Sequence, residues 1–564
     1  MNFTANTRTV LWYLVFIGFA VNYMIRINLN ITIVDMVAQK KTATKGRDLK
    51  VVNECSAGEN MPRESSSSDS ARERFISSDL NILSGSDSDL NNSLVNLVSD
   101  FSVLNTTIEP AEKYTLERVI LKLFNANYEK NGFMWNEYQQ GLVLGSFFWI
   151  HWVTQIPGGI LAKKFGTKIV FGLANVIGCW ICFLLPIVSY WDYKALIFLR
   201  VLQGLICGLA WPAMHNMTAQ WIPPNERSKF VTAYLGSSVG IAVFYPLFGY
   251  IISWSSWEWV FHVCGVIGTL WYIGWLFLVY DTPALHPRIS EKERRYIEKS
   301  LGASVQPKSS VPTPWKDILM SKPVWMNVVA QWGGIWGLFT LMTQAPTYFK
   351  TIHGWDITMT GILSGLPHMM RMIYAYIFSI LGDYLLRTEK MSRTNVRKLA
   401  TTMCCIVKGI FVLFLAYSGC NSTAAIVFLT LATAVHGAVS TGPLASIVDI
   451  APNYAGIVLG ISGMIGVLPG FISPAIVGIL TLGNQSVTSW KYVFLISSAM
   501  LVVSGVLYII LCESEIQQWN SPQNPKEKEL QEIVSSKLLI SDNIVQSNNE
   551  KSAENDTLLV VESK

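Results

Sequence analysis

Hydrophobic residues in this chain come in long runs rather than in the alternating or every-third pattern of a soluble fold. Twelve runs are long enough to cross a bilayer as helices, which takes about 20 residues at about 1.5 Å rise each. They cover 11–36, 138–160, 169–190, 195–217, 229–252 and 259–280, then 325–349, 358–381, 398–418, 423–447, 455–482 and 490–512. The polar segment 281–324 separates spans 1–6 from spans 7–12. The pattern predicts an all-α multi-pass membrane protein with two six-helix halves, 1–280 and 325–512, a central loop at 281–324 and a polar tail at 513–564. The first run has a weak basic start at Arg8 and no small-residue cleavage site, and it contains Arg26, so it reads as a retained span rather than a secretory signal.

Cations sort by loop. Those after spans 2, 4 and 8 read KKFGTK, NERSK and RTEKMSRTNVRK, and the central segment adds eight more lysines and arginines. The intervening loops SYWDYK, SWSSWE, HGWD and GCNSTA are nearly free of them. Positive loops stay on the cytoplasmic side, which places both termini and the central loop there. The outer segment 38–134 is rich in Ser, Asp and Asn over 56–100, a composition that resists folding. It carries glycosylation sequons at Asn91 and Asn105. In the tail, Glu554, Leu558 and Leu559 form an acidic dileucine signal of the kind clathrin adaptors read, pointing to lysosomal, endosomal or vesicle membranes, with the plasma membrane as the alternative.

Composition agrees: 51% of residues are hydrophobic, 14% are charged, and the mean hydropathy is +0.35. A soluble protein carries about a quarter charged residues. The nine cysteines show neither CxxC pairs nor zinc spacing, so neither a disulfide framework nor a metal site is expected. There is no P-loop and no paired catalytic carboxylate, which argues against ATP-driven transport and against an enzyme. No cofactor and no nucleic-acid partner is implied.

Candidate chemistry sits inside the spans. On span 1, Asn22, Arg26 and Asn30 are four residues apart and share a helical face. On span 4, Arg200, Gln203, Cys207, Trp211 and His215 share another, beside Gly204 and Gly208. A guanidinium at mid-membrane costs about 3 kcal/mol and must find an anion, which its planar fork of donors grips two bonds at a time. Two such groups with no obvious acidic partner on either helix point to an anionic substrate between them, with Asn22, Asn30, Gln203 and His215 around it. An alternative stays open, in which Arg26 pairs with Asp35 and Arg200 reaches outward from its helix end. His215 and His151 are candidates for proton relay, or for simple hydrogen bonds to neighbouring helices. His368 and Arg371 form a further pair on span 8, while Lys408 and His436 lie in span interiors with no role assigned.

Residues 157–168, PGGILAKKFGTK, resemble the loop motif of the major facilitator superfamily, with Gly158, Gly159, Lys163, Lys164 and Gly166 as its conformational elements. A degenerate echo, GDYLLRTEKMSRTNVRK, occupies 382–398, six spans later. Within that superfamily the stretches 141–159, 198–217 with the following WIPPNERSK, and 449–463, together with RINLNITIVDMV in span 1, resemble the anion/cation symporter family of sialin, the vesicular glutamate transporters and the sodium–phosphate transporters. The resemblance implies alternating-access transport of a small anion with H⁺, Na⁺ or the membrane potential as driving force, and arginines on spans 1 and 4 at Arg26 and Arg200. It also implies glutamates where this chain has Gln203 and Cys207. For the glutamate carriers it implies a histidine at Leu144 and an arginine at Gly334. These departures argue against glutamate as substrate, slightly favour sodium or potential over protons, and leave a transport-incompetent receptor, sensor or scaffold as the alternative.

Enzymatic deglycosylation of the expressed protein is expected to lower its apparent mass, and Asn91→Gln with Asn105→Gln to abolish that change. A wild-type protein without any such change would reject the outer placement of 38–134.

Overall fold

The computed structural model describes residues 6–37, 55, 132–223, 230, 232–301, 313–452 and 454–520. Asn91, Asn105, Glu554, Leu558 and Leu559 lie outside the described residues. Among the described residues, ten helices are long and apolar enough to cross a membrane. The other two of the twelve runs fold in ways their hydropathy hides. Span 7 is a single helix, Lys322–His353, diluted by buried Asn327, Gln331, Thr340, Thr343, Gln344 and Thr347. Span 2 is broken. Glu137–Gly145, capped by a reciprocal Asn136–Gln139 pair, gives way to a 3₁₀ turn at Ser146–Phe148 and irregular turns to 154, and the helix resumes at Gln155–Phe165.

Irregular backbone at membrane depth is tolerated only where protein covers it. Span 4 supplies the cover, itself interrupted between Tyr193–Cys207 and Ala210–Trp221. A Cβ at Gly204 would fall 1.8 Å from the Phe147 carbonyl oxygen, and one at Gly208 would fall 2.7 Å from the His151 carbonyl oxygen. Only a residue without a side chain lets span 4 lie this close to the break.

Both halves present apolar side chains outward, with Trp191, Trp254 and Tyr250 near one face of the bundle among the exposed aromatics, as lipid-facing helices do. The halves meet along two seams at the face away from the termini. Span 2 packs on span 11, where a Cβ at Gly141 would lie 2.4 Å from the Pro474 carbonyl oxygen. Span 5 packs on span 8, where a Cβ at Gly361 would lie 2.6 Å from the Tyr245 carbonyl oxygen. On the terminal side of span 11, Gly456, Gly460 and Gly463 have nothing within 4 Å. The bundle is therefore tightly packed at the far face and looser along span 11 toward the face where the described chain begins and ends.

The terminal face is organised by carboxylates. Glu293, on the central-loop helix Glu291–Leu301, receives the backbone N–H groups of Thr7 and Arg8 and pairs with the Arg8 guanidinium at 3.0 Å, an acid at the N-terminal end of span 1. Asp281 accepts the Lys168 backbone N–H at 2.7 Å and lies against Gly166, whose φ of +90° suits glycine. Gly158 packs against Leu209 and Pro212 of span 4, Gly159 has looser surroundings, and Lys163 and Lys164 are exposed. In the echo after span 8, Arg397 pairs with Asp449 at 2.7 Å and donates to the Thr441 carbonyl oxygen.

One expectation is corrected. No disulfide framework was predicted, yet Cys55 is joined to Cys420 across 365 residues, fastening the segment between spans 1 and 2 to the loop between spans 9 and 10. A bridge between loops of different halves leaves no local spacing to read, and only the fold brings the two Cα atoms to 5.2 Å.

Cleavage at a protease site engineered between residues 60 and 100 is expected to give two fragments that migrate together without reductant and separate with it. Cys55→Ser should separate them in both conditions. Fragments that part without reductant in the wild-type chain would disprove the bridge.

Candidate functional site

Arg26 lies midway along span 1, only 4% exposed. It faces the break in span 2. Its Nη2 lies 3.4 Å from His151 Nε2, its guanidinium carbon sits 4.6 Å from the Tyr23 ring centroid and 5.7 Å from that of Phe147, and its Nε has no partner. The alternative pairing fails: Asp35 is exposed, and among the described residues no carboxylate pairs with Arg26.

His151 owes its position to the irregular turn. Its Nδ1 is 3.0 Å from the Gly204 carbonyl oxygen, so Nδ1 carries the proton and donates there. Nε2 is left with a lone pair, which accepts from Arg26 and from the Gln155 amide at 3.3 Å. The tautomer follows from this hydrogen-bond pattern. A second proton on His151 would turn that acceptor into a donor aimed at a guanidinium.

Arg200 is placed differently from expectation. It is 1% exposed and neither snorkels nor faces the opening between the halves. Its Nη1 donates to Gln203 Oε1 at 2.7 Å, to the Ile25 carbonyl oxygen at 3.1 Å and to Asn28 Oδ1 at 3.4 Å. Gln203 in turn donates to the Gly178 carbonyl oxygen and to Cys182 Sγ. The result is a network inside the first half, tying spans 1, 3 and 4. Both guanidiniums lie over the ring of Phe147, Arg200 at 5.1 Å from its centroid.

The remaining predicted residues do not converge on Arg26 either. Asn22 donates to Asn175 of span 3 at 2.8 Å. Asn30 donates to the Tyr245 hydroxyl, which donates to the Met342 carbonyl oxygen of span 7, linking the two halves. His215 is exposed and meets Tyr234 edge-on at 5.1 Å. The structure thus brings together Arg26, His151, Gln155, Tyr23 and Phe147. Of these, Gln155, Tyr23 and Phe147 were not predicted as site residues. Tyr23 had a signal, since it lies one turn from Arg26 on the same helix; Phe147 and Gln155 had none, because a span read as continuous does not show where its break turns them. In the second half, Arg371 of span 8 is partly exposed and interacts electrostatically with the Tyr23 hydroxyl.

Two halves of six spans, broken helices at mid-membrane and a buried arginine inside the first half define the class: a membrane transporter, not an enzyme. The chain matches the Major Facilitator Superfamily over residues 99–474. It is 38% identical over 404 residues to vesicular glutamate transporter 1 of Bos taurus, covering 71% of this chain and 72% of that protein. It is 36% identical over 404 residues to vesicular glutamate transporter 2 of Homo sapiens, covering 71% and 69%. Among solved structures it resembles a bacterial homologue of the human lysosomal transporter Spinster in an inward-facing, unoccupied conformation, with TM-score 0.55, 12% identity, and coverage of 90% of this chain and 97% of that one. That likeness speaks to the fold alone. The chain belongs to the major facilitator superfamily, in its anion/cation symporter family.

Replacing Arg200 by Met strands the Gln203 side-chain oxygen in an apolar interior, at about 1–3 kcal/mol for the buried group, while Asn28 keeps the Leu29 N–H. The detergent-purified variant is expected to melt several degrees below wild type. Arg26→Gln, which strands no strong acceptor, should melt within about 2 °C of it. Equal melting temperatures for Arg200→Met and wild type would remove the structural role of Arg200.

Proposed function

We propose that the protein is a secondary active transporter of a small organic or inorganic anion, with Arg26 as the anion contact of the first half. One observation carries this reading: a permanently charged guanidinium, buried on span 1, meets an imidazole and two aromatic faces and, among the described residues, no carboxylate. A group that cannot lose its proton and has no carboxylate partner is satisfied by an anion that arrives and leaves. The names of the curated relatives, vesicular glutamate transporters, support an anionic cargo. Glutamate itself fits poorly, because the family resemblance implies a histidine and an arginine for glutamate carriers where this chain has Leu144 and Gly334. Sialic acid, phosphate, urate and acidic amino acids frame the candidate class.

His151 is the coupling candidate in this reading. A proton on its Nε2 and the contact from Arg26 exclude one another, so proton uptake would release the guanidinium toward the opening. Gln203 and Cys207, which stand in place of the family's carboxylates, are fully buried, and Gln203 is spent on Arg200. His215 remains a second candidate on the terminal side. The open face is the cytoplasmic one by the distribution of cations, and a vesicle or lysosomal membrane agrees with the relatives' names and with the tail signal; the plasma membrane is the other address.

Proteoliposomes containing the wild-type protein are expected to accumulate at least one radiolabelled anion from that panel under a proton gradient, a sodium gradient or a membrane potential. Arg26→Ala is expected to abolish the uptake while the protein still reconstitutes. Uptake that survives in the variant would sink the role of Arg26, and no uptake of any anion under any gradient would sink the transporter itself.

A further inference from the structure

A second group of basic side chains, two cationic and two imidazole, lies in the other half, outside the site described above. Lys408 follows the π-helical stretch Thr402–Val407 of span 9 and is fully buried. Such stretches interrupt membrane helices mostly where a function requires it. Its ammonium, with three hydrogens to donate, makes one hydrogen bond, to the Gly334 carbonyl oxygen at 3.2 Å. His436 opens the 3₁₀ segment His436–Ser440 of span 10 and rests on the same glycine, where an added Cβ would meet its Cε1 at 3.3 Å. His368 follows Pro367 in span 8. The two imidazoles are 3% and 1% exposed, and Nδ1 of each has no partner. Arg371, nearly one turn along span 8, is within electrostatic reach of His368 and Lys408 and, from its partly exposed side, of the Tyr23 hydroxyl in the first half. Among the described residues no carboxylate pairs with any of the four.

Basic groups gathered in a low-dielectric interior repel one another when charged and forgo hydration, and among the described residues no carboxylate offsets either cost. Resting on the reading of Arg26 given above, we infer that Arg371, Lys408, His368 and His436 form a second anion subsite, which takes the far carboxylate of a dicarboxylate substrate whose near carboxylate lies on Arg26. Tyr23 lies 4.6 Å from the Arg26 guanidinium carbon by its ring centroid, and its hydroxyl interacts electrostatically with Arg371. The cluster offers donors and no described carboxylate, so it suits a plain dicarboxylate better than an amino acid, whose ammonium would meet four basic groups. A substrate held by both halves also draws their open ends together, which a monoanion on Arg26 alone does not do.

The test uses the full-length protein in lipid nanodiscs and its thermal stabilisation by glutarate, by pentanoate, which has the same chain length with one carboxylate, and by chloride. Wild type should be stabilised at lower concentrations of glutarate than of pentanoate. Lys408→Met and Arg371→Gln should each raise the glutarate concentration needed by about tenfold and leave pentanoate unchanged, while Arg26→Gln weakens both. Lys408→Met removes a buried charge rather than stranding one, so the fold should persist, and Arg371→Lys should keep the preference for glutarate. Glutarate binding unchanged in both second-half variants but lost in Arg26→Gln would overturn the second subsite and leave the first. Pentanoate and glutarate binding equally to wild type, or neither binding, would overturn it as well. A loss confined to chloride would reassign the cluster to an inorganic ion and reject the dicarboxylate. Arg26→Gln binding both acids as wild type does would reject the Arg26 reading itself.

Discussion

Positive charge that no fixed acid neutralises is the condition around which this bundle is arranged. In water, a guanidinium is solvated at little cost; at mid-membrane it must be answered by the protein or by cargo. The first half answers Arg200 internally, with carbonyl and amide oxygens from spans 1 and 4. It answers Arg26 only with the lone pair of His151 and the faces of Tyr23 and Phe147. Two arginines of the same chemistry are thus divided between scaffold and site by the number of acceptors within reach.

The broken backbone of span 2 makes that division. If 146–154 continued as a helix, His151 would point wherever the helical repeat sent it. The 3₁₀ turn and the glycine approach of span 4 instead bring its Nδ1 onto the Gly204 carbonyl and its Nε2 onto Arg26. Span 9 and span 10 repeat the device in the other half, with a π-helical stretch before Lys408 and a 3₁₀ segment beginning at His436. In each half, departures from regular helix place the titratable groups.

Much of this was legible in the chain. Long apolar runs expose the spans, because the bilayer imposes one length on every crossing. Arg26 stood out because a charge in an apolar run has no cheap explanation. The fate of Arg200 was hidden, since its acceptors are backbone and amide oxygens on another helix, and such atoms leave no pattern in one dimension. Lys408 and His436 read as isolated polar residues until spans 8, 9 and 10 brought them beside His368 and Arg371. The Cys55–Cys420 bridge was invisible for the same reason.

The glycine seams at the closed face carry a consequence for energetics. Backbone meets backbone there at Gly141, Gly249, Gly361 and Gly478, with neither ion pairs nor interlocked side chains at those positions. Contacts of this kind are made of dispersion alone, so they can part without stranding a buried polar group. Closure of that face therefore rests on shape at a few α-carbons together with two polar links between the halves, Tyr245 to the Met342 carbonyl oxygen and the Gly483 N–H to Glu137. A single methyl group there acts as a wedge, shifting the resting population while every charged residue stays as it was.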